Sequence, residues 1–337
     1  MAQGSPAWGR RVVQTPGSAV NDCSGAPPGS QKESLLSGKE VVWFPLFTVS
    51  SLSMVLLNKY CAHRVGRSPY TLLLCQNAAT VLLNLFGVHA GVLSVRPFST
   101  SQCKRFLVPT LLFVGMLASS IYGLPYVSVA TTVVFRSLST CLVACGDCLL
   151  FSKRFTRDEV VALALVVVGA QIYSYNDMSF DAAGYSWMLA NMLFFVSSQL
   201  YEKWAIVSVD QTAVGISCIQ NLLSLPVLVA FGGYTGERPL TFFQGTDAWT
   251  RAAVVATGFG GCSLSVCYIS LSKFASATSI SLAGNLNKLL SIVLRAALFH
   301  SPLYPLQVCG LAISMVATVS FAHRGRMPSW LGGDAKS

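Results

Sequence analysis

The 337-residue chain has few charged residues, and this shortage excludes most soluble protein classes. Only 11% of its residues are Asp, Glu, Lys or Arg and 53% are hydrophobic, whereas a typical soluble domain is about 25% charged. Histidine is also scarce, with four isolated residues. Cys141, Cys145 and Cys148 share one helical face, but no histidine or second cysteine pair completes a metal cluster. We therefore expect a membrane protein without a metal or a cofactor.

Apolar segments long enough to cross a bilayer as helices recur about ten times along the chain. The connections between them are short, the longest being residues 232–251, so the chain has no room for a soluble catalytic domain. We expect an all-α membrane protein that is not an enzyme and that functions inside its helix bundle. The predicted spans are 41–62, 70–94, 106–124, 126–151, 159–176, 184–202, 213–232, 250–271, 276–300 and 303–322.

Basic residues between the predicted spans orient the chain in the membrane. If the N-terminus is cytosolic, ten basic residues lie on the cytosolic side, namely Arg96, Lys104, Arg105, Lys153, Arg154, Arg157, Lys203, Lys273, Arg324 and Arg326. Four lie on the opposite side, namely Arg64, Arg67, Arg238 and Arg251. By the positive-inside rule, both termini face the cytosol. The net charge of +10 then reflects topology, and no nucleic-acid partner is needed to explain it.

The two ends of the chain differ in composition from the ten-span region between them, which we place at 41–322. Residues 1–40 are rich in Gly, Ser, Pro and Gln and contain no long apolar run. This composition predicts a disordered cytosolic tail rather than a cleaved signal peptide. Residues 323–337 are predicted to form a cytosolic C-terminal tail.

Two segments of the chain resemble each other across five predicted spans. SVATTVVFRSL at 128–138 superimposes on SATSISLAGNL at 276–286, with an offset of 147 to 148 residues. Because five is an odd number of crossings, the two copies traverse the membrane in opposite directions. This pattern predicts two inverted five-helix repeats, at about 41–176 and 184–322, with a substrate site at the bilayer midplane between them.

One basic residue lies near the middle of a span in each predicted repeat. Arg136 and Lys288 each follow about a dozen helical residues, which places them roughly 15–18 Å deep. A charge at that depth costs about 2.5–3.5 kcal/mol, so such a residue indicates an anionic ligand or an ionic partner. Asp147 is too far along the same helix, at ~16 Å, to pair directly with Arg136.

Small and polar residues accompany both of these cations. Thr132 and Ser139 share the helical face of Arg136, and the face of Lys288 carries Ser281, Gly284, Ser291 and Arg295. Such stripes also occur where membrane helices pack closely. With a cation at the centre of each stripe, we favour a ligand cavity.

The predicted seventh and eighth spans add neutral polar groups. Gln220 and Asn221 are adjacent amides, and Ser265 lies at similar depth on the eighth span. Amides offer both donors and acceptors, which suits recognition of a base edge or of sugar hydroxyls. The alternative is a set of hydrogen bonds between helices.

Four motifs of the chain resemble those of the nucleotide-sugar transporter family, which belongs to the drug/metabolite transporter superfamily. Within that family they are most similar to the Golgi GDP-mannose transporters. The resemblance covers about residues 41–320. The matching motifs are Asn58-Lys59-Tyr60, Phe135-Arg136-Ser137-Leu138-Ser139, Cys218-Ile219-Gln220-Asn221 and Gly284-Asn285-Leu286-Asn287-Lys288. The last of these is the most specific, because it aligns with G-A-L-N-K in the family.

The resemblance implies an exchange of a nucleotide sugar, led by GDP-mannose, for a nucleoside monophosphate across the Golgi membrane. By this resemblance Gln220, Asn221 and Ser265 would hold the base. The motif from Gly284 to Lys288, which includes Asn285 and Asn287, would hold the sugar and phosphates beside Ser281. Lys288 and Arg136 would neutralise the diphosphate, and a homodimer is compatible with the family.

Several departures from the family pattern leave the substrate open. Thr132, Ile280 and Phe47 stand where the family has tyrosines around the sugar. Gln220 and Asn285 also replace an asparagine and an alanine of the family motifs. GDP-fucose or a UDP-sugar is therefore an alternative substrate. A sugar-phosphate or other organic-anion carrier, and a membrane scaffold or chaperone, are the alternative functions.

Overall fold

The structure is a computed structural model that describes residues 30–65, 69–123, 125–175, 181–237, 244, 247–299 and 303–324. These residues form ten α-helices and no strand, which confirms the predicted all-α architecture. The helices are α1 (Ser30–Val65), α2 (Pro69–His89), α3 (Thr100–Gly123), α4 (Val129–Phe151), α5 (Arg157–Ser174), α6 (Ala182–Ser208), α7 (Ala213–Tyr234), α8 (Ala248–Phe274), α9 (Ala277–Phe299) and α10 (Pro305–Arg324).

Capping side chains fix where several helices begin. Ser128, Thr156, Asp181 and Thr212 precede α4, α5, α6 and α7, and each accepts a hydrogen bond from a backbone N–H of the first turn. The Thr156 cap is reciprocal, because Glu159 accepts from the Thr156 backbone N–H at 2.7 Å. Caps satisfy donors that a helix start leaves without partners. The connections can therefore be short.

Within the described residues, six helices are long and apolar enough to cross a bilayer, namely α2, α3, α4, α7, α8 and α10. A shorter apolar stretch lies within α1 at Val42–Asn58. The chain is therefore a multi-pass membrane protein. Among the remaining helices, α5 begins with three charged residues, Arg157 to Glu159, and α9 carries Asn285, Asn287 and Lys288.

The first helix begins earlier than its predicted span. It starts at Ser30, inside the segment predicted to be an N-terminal tail. The residues between Ser30 and the predicted span include Leu, Gln, Lys and Glu, which favour helix, so the turns can extend beyond the apolar part. Residues 1–29 and 325–337 lie outside the described residues, and the predicted tails stay predictions there.

The helices pack in pairs that join the two halves of the chain. The closest pairs are α5 with α10, α3 with α6, α1 with α8, and α2 with both α7 and α8. In the α5–α10 pair, Gly169 and Gly310 bring the two backbones together, and a Cβ on Gly310 would lie 2.5 Å from the Gly169 carbonyl oxygen. Small residues permit such close approach of membrane helices. The inverted relation between the two halves stays a prediction.

Candidate functional site

A cavity of about 480 Å³ lies within the bundle and is lined by residues of α1–α4 and α6–α9. Seven of the nine predicted site residues line it, so the structure brings together groups that are far apart in the sequence. These seven are Arg136, Gln220, Asn221, Ser265, Ser281, Gly284 and Lys288. The predicted Ser281–Gly284–Lys288 face of α9 is therefore the face that meets the cavity.

The two predicted cations both reach this cavity. The Arg136 guanidinium lies over the ring of Phe195, with 4.0 Å from its central carbon to the ring centroid, in the geometry of a cation–π contact. Lys288, on α9, lines the same cavity as Arg136 on α4. Among the described residues, no carboxylate lies within ion-pair distance of either cation. This part of the cavity, which we call the cationic end, therefore suits an anion.

Asp147 does not pair with Arg136, as its distance along α4 predicted, and its carboxylate contacts Thr278 instead. Its Oδ2 accepts hydrogen bonds from the Thr278 backbone N–H at 2.8 Å and the Thr278 hydroxyl at 2.5 Å. Thr278 lies in the first turn of α9, where a negative charge is favourable. Asp147 therefore links the C-terminal part of α4 to the start of α9, the two helices that carry the cations.

The polar groups on α7 and α8 are partly occupied by one another. The Asn221 amide donates to the Ser217 carbonyl oxygen at 2.8 Å and to the Ser265 hydroxyl at 3.2 Å. The Ser217 and Ser265 hydroxyl oxygens are 2.8 Å apart. Bonds between helices, the alternative interpretation of these residues, are thus present. The side-chain oxygen of Asn221, Oδ1, keeps its acceptor capacity towards a ligand.

Glu202 on α6 was not predicted as a site residue, although the residue lines the cavity and is 8% exposed. Oε1 accepts a hydrogen bond from the Gln220 amide at 2.6 Å, and Oε2 accepts one from the Tyr268 hydroxyl at 3.0 Å. The Gln199 amide donates to the same tyrosine oxygen at 3.0 Å. We call Gln199, Glu202, Gln220 and Tyr268 the carboxylate end of the cavity.

Glu202 was not recognised as a cavity residue because the predicted span ended at residue 202, beside Lys203. A Glu-Lys pair at the end of a span indicates the membrane interface. In the structure α6 continues to Ser208, so Glu202 lies inside the helix. Lys203 instead donates to the Ser272 and Ala275 carbonyl oxygens at 2.5 and 2.7 Å. A helical plot of the predicted span, which already includes residue 202, places Phe195, Gln199 and Glu202 on one face.

Asn285 and Asn287 do not line the cavity. Asn285 is fully buried, and its amide donates to the Ser137 hydroxyl at 3.2 Å. Asn287 is 3% exposed, and within the described part of the structure neither polar atom of its side chain has a hydrogen-bond partner. Their direct contact with a ligand stays a prediction.

Three residues stand where the family has tyrosines, and the structure places them in different surroundings. Phe47 and Ile280 line the cavity, whereas the Thr132 hydroxyl donates to the Ser128 carbonyl oxygen at 3.2 Å. The side chains of Lys59 and Arg295, named in the sequence analysis, lie outside the described part of the chain.

One end of the bundle is held together by basic side chains. Besides the Lys203 bonds, Lys153 donates to the Ser276 hydroxyl at 2.8 Å and Lys273 donates to the Gln211 carbonyl oxygen. Arg96 forms an ion pair with Asp210 at the same end. All four cations belong to the set that the sequence assigned to the cytosolic side. These contacts join the segment after α4, the end of α6 and the segment before α7 to the end of α8 and the start of α9.

Residues 39–322 match the model of the Triose-phosphate Transporter family. The chain belongs to this family. It is therefore a transporter and not an enzyme, as expected from the short connections between its helices.

Proteins similar to this chain include several that are named for nucleotide sugars. GDP-mannose transporter GONST2 of Arabidopsis thaliana is 28% identical over 94% of this chain and 84% of that protein. GDP-mannose transporter of Aspergillus oryzae is 25% identical over 88% and 83% of the two chains. GDP-fucose transporter 1 of Arabidopsis thaliana is 26% identical over 72% and 73%. A solved structure titled "Crystal structure of protein" shares the fold, with a TM-score of 0.65 at 14% identity, and covers 85% of this chain and 98% of that one.

Proposed function

We propose that this transporter exchanges a nucleotide sugar, with GDP-mannose first, for a nucleoside monophosphate such as GMP across the Golgi membrane. The observation that carries the proposal is the cavity itself, in which Arg136 and Lys288 have no described carboxylate partner. Two cations balance the charge of about −2 on a diphosphate diester. Relatives named GDP-mannose transporters, which align with most of this chain, support the choice of sugar.

Alternating access through an inverted repeat would move the ligand across the membrane. Three hydrogen bonds between helices support this arrangement, because each joins residues 147 or 148 positions apart, the offset of the sequence repeat. They are the bonds of Asn77 to Ser224, Asn285 to Ser137 and Ser314 to the Val166 carbonyl oxygen. Contacts between equivalent positions are expected where two repeats meet at a twofold axis.

The same charges explain why transport would be an exchange. An empty cavity leaves two cations uncompensated in a low-dielectric surrounding, which is unfavourable. The empty carrier would therefore change its orientation slowly. A bound nucleoside monophosphate neutralises the cations and allows return, so uptake would require nucleotide on the opposite side.

Two other substrates are supported by particular findings. A relative named GDP-fucose transporter 1 supports GDP-fucose. The description of the matching family supports a small sugar phosphate, which would use Arg136 and Lys288 without needing Gln220 and Asn221. UDP-sugars stay a further alternative.

Counterflow in proteoliposomes tests the proposal. Vesicles loaded with GMP should take up labelled GDP-mannose faster than empty vesicles, and UMP should not replace GMP. If internal GMP stimulates uptake of GDP-fucose but not of GDP-mannose, the exchange mechanism stands and only the assigned sugar changes. Stimulation by UMP alone would overturn the assignment of the base.

A double variant separates nucleotide carriers from sugar-phosphate carriers. Changing Gln220 and Asn221 to alanine should abolish nucleotide-sugar uptake, whereas a sugar-phosphate carrier would keep its exchange. The matched control is Gln307→Ala on α10, whose amide caps the nearby Tyr304 backbone N–H outside the cavity. This control should keep exchange with GMP.

A further inference from the structure

Residues of α6 that line the cavity contact groups of opposite charge at different heights along the helix. Phe195, Gln199 and Glu202 follow one helical face and all line the cavity. Phe195 carries the Arg136 guanidinium on its ring, whereas Glu202 lies seven residues further on, about 10 Å along the helix axis. A ligand that spans the cavity therefore meets cations at one end and a carboxylate at the other.

The carboxylate at that end is held in a fixed orientation. Gln220 donates to one oxygen of Glu202 and Tyr268 donates to the other, at 2.6 and 3.0 Å. Each carboxylate oxygen can accept two hydrogen bonds, so each keeps capacity for one more donor. Gln199 holds the tyrosine hydroxyl in place at 3.0 Å. The side chain thus presents two parallel acceptors to a ligand.

A carboxylate repels an anionic ligand unless the part of the ligand that is remote from its negative charge donates hydrogen bonds to the carboxylate. Guanine has two adjacent donors, N1–H and the exocyclic N2 amine, on one edge, and two parallel N–H groups pair with both oxygens of a carboxylate. Uracil has a single N–H between two carbonyl oxygens, which a carboxylate would repel. Hypoxanthine keeps the N1–H of guanine but lacks the amine.

We propose that the Glu202 carboxylate selects guanine nucleotides by accepting hydrogen bonds from N1–H and the N2 amine, while Arg136 and Lys288 bind the phosphates. This inference rests on the proposed exchange of nucleotides and adds the group that chooses the base. Gln220, which stands where the family motif has asparagine, then acts as a positioning residue for Glu202.

Competition between GMP and IMP tests the inference, because the two differ at the base only in the N2 amine. In wild-type protein GMP should inhibit uptake of labelled GDP-mannose at about tenfold lower concentration than IMP, as expected for a hydrogen bond to a charged group. Glu202→Gln should reduce this ratio to about one. Tyr268→Phe, which keeps the carboxylate but removes one support, should give an intermediate ratio.

Glu237→Gln is the matched control, since Glu237 is a partly buried carboxylate at the far end of α7. It accepts from the Thr71 backbone N–H at 2.7 Å and does not line the cavity. This variant should keep the wild-type ratio. If Glu202→Gln transports too slowly, the shift in Tm of purified protein with GMP and with IMP gives the same comparison.

The outcomes separate this inference from the proposed function. Wild-type protein that exchanges GMP and IMP equally well, or a Glu202→Gln variant that keeps the wild-type ratio, would overturn the role of Glu202 and leave nucleotide exchange intact. A change in Glu202→Gln confined to the pH dependence of uptake would likewise overturn it. Wild-type protein that exchanges no nucleotide would overturn the proposed function itself.

Discussion

Replacing Lys288 by methionine should stabilise the empty protein and weaken its binding of nucleotide. Lys288 lines the cavity, and no described carboxylate lies within ion-pair distance of it. A lysine at the centre of a membrane helix costs about 2.5–3.5 kcal/mol. Because Lys288 faces a cavity that water can enter, we take about 1–2 kcal/mol as the gain from its removal. Methionine is unbranched, apolar and adaptable, so it should fill the same space.

These energies give opposite expected changes in stability and in binding. Unfolding entropy is about 2.1 cal/mol/K per residue, so for a chain of 337 residues 1 kcal/mol shifts Tm by about 1.4 °C. The Tm of the empty variant should therefore rise by about 1–3 °C. A hydrogen bond to a charged group contributes about 1.5–3 kcal/mol. Loss of the Lys288 contact with phosphate should therefore weaken GMP binding by about tenfold to 150-fold.

Thermal unfolding in detergent, with and without GMP, measures both effects on one sample. The control is Lys104→Met, which removes an exposed lysine near the start of α3 and should change neither Tm nor the shift caused by GMP. A lower Tm for empty Lys288→Met would mean that Lys288 stabilises the fold, contrary to this expectation. An undiminished GMP shift would refute its role in binding.

Three further substitutions follow from described contacts. Arg136→Lys keeps the charge but loses the two-pronged donor geometry, so GMP affinity should fall about tenfold in the same thermal-shift assay. Asp147→Ala removes the acceptor for both donors of Thr278, which should lower the free energy of unfolding by about 2–4 kcal/mol in chemical denaturation. Gly310→Ala places a Cβ 2.5 Å from the Gly169 carbonyl oxygen, which should lower stability by about 1–3 kcal/mol in the same assay.

Each of these predictions has its own contradicting result. Full GMP affinity in Arg136→Lys would show that a point charge suffices there. Wild-type stability in Asp147→Ala would mean that water replaces the carboxylate at the start of α9. An unchanged Gly310→Ala variant would mean that α5 and α10 can separate freely. Gly233→Ala is the control for the last case, since no atom lies within 4 Å of its added Cβ.

The sequence alone predicted the number and order of the helices. Apolar segments of membrane length are visible because the bilayer requires every backbone polar group to be paired within the segment. The start of α1 differed, because Ser30 begins a helix whose first turns are polar. The C-terminal end of α6 differed for the same reason, since the helix continues beyond its apolar part to Ser208. Hydropathy detects the apolar part of a helix and not its polar ends.

The site was predictable where a residue is unusual for its depth. Arg136 and Lys288 stand out in apolar segments, and the helical period correctly placed Ser281 and Gly284 beside Lys288 on the cavity. Glu202 was missed, because two adjacent charges, Glu202 and Lys203, at the end of a predicted span are typical of the membrane interface. The hydrogen bond from Gln220 to Glu202 joins two helices, and sequence spacing carries no information about that contact.

A structure of the protein with GMP bound is the most direct test of nucleotide binding in this cavity. We expect the phosphate within hydrogen-bond distance of Arg136 and Lys288, and the guanine in the same cavity, towards α7 and α8. A nucleotide bound outside this cavity, or one whose phosphate contacts neither cation, would show that these residues do not form the transport site.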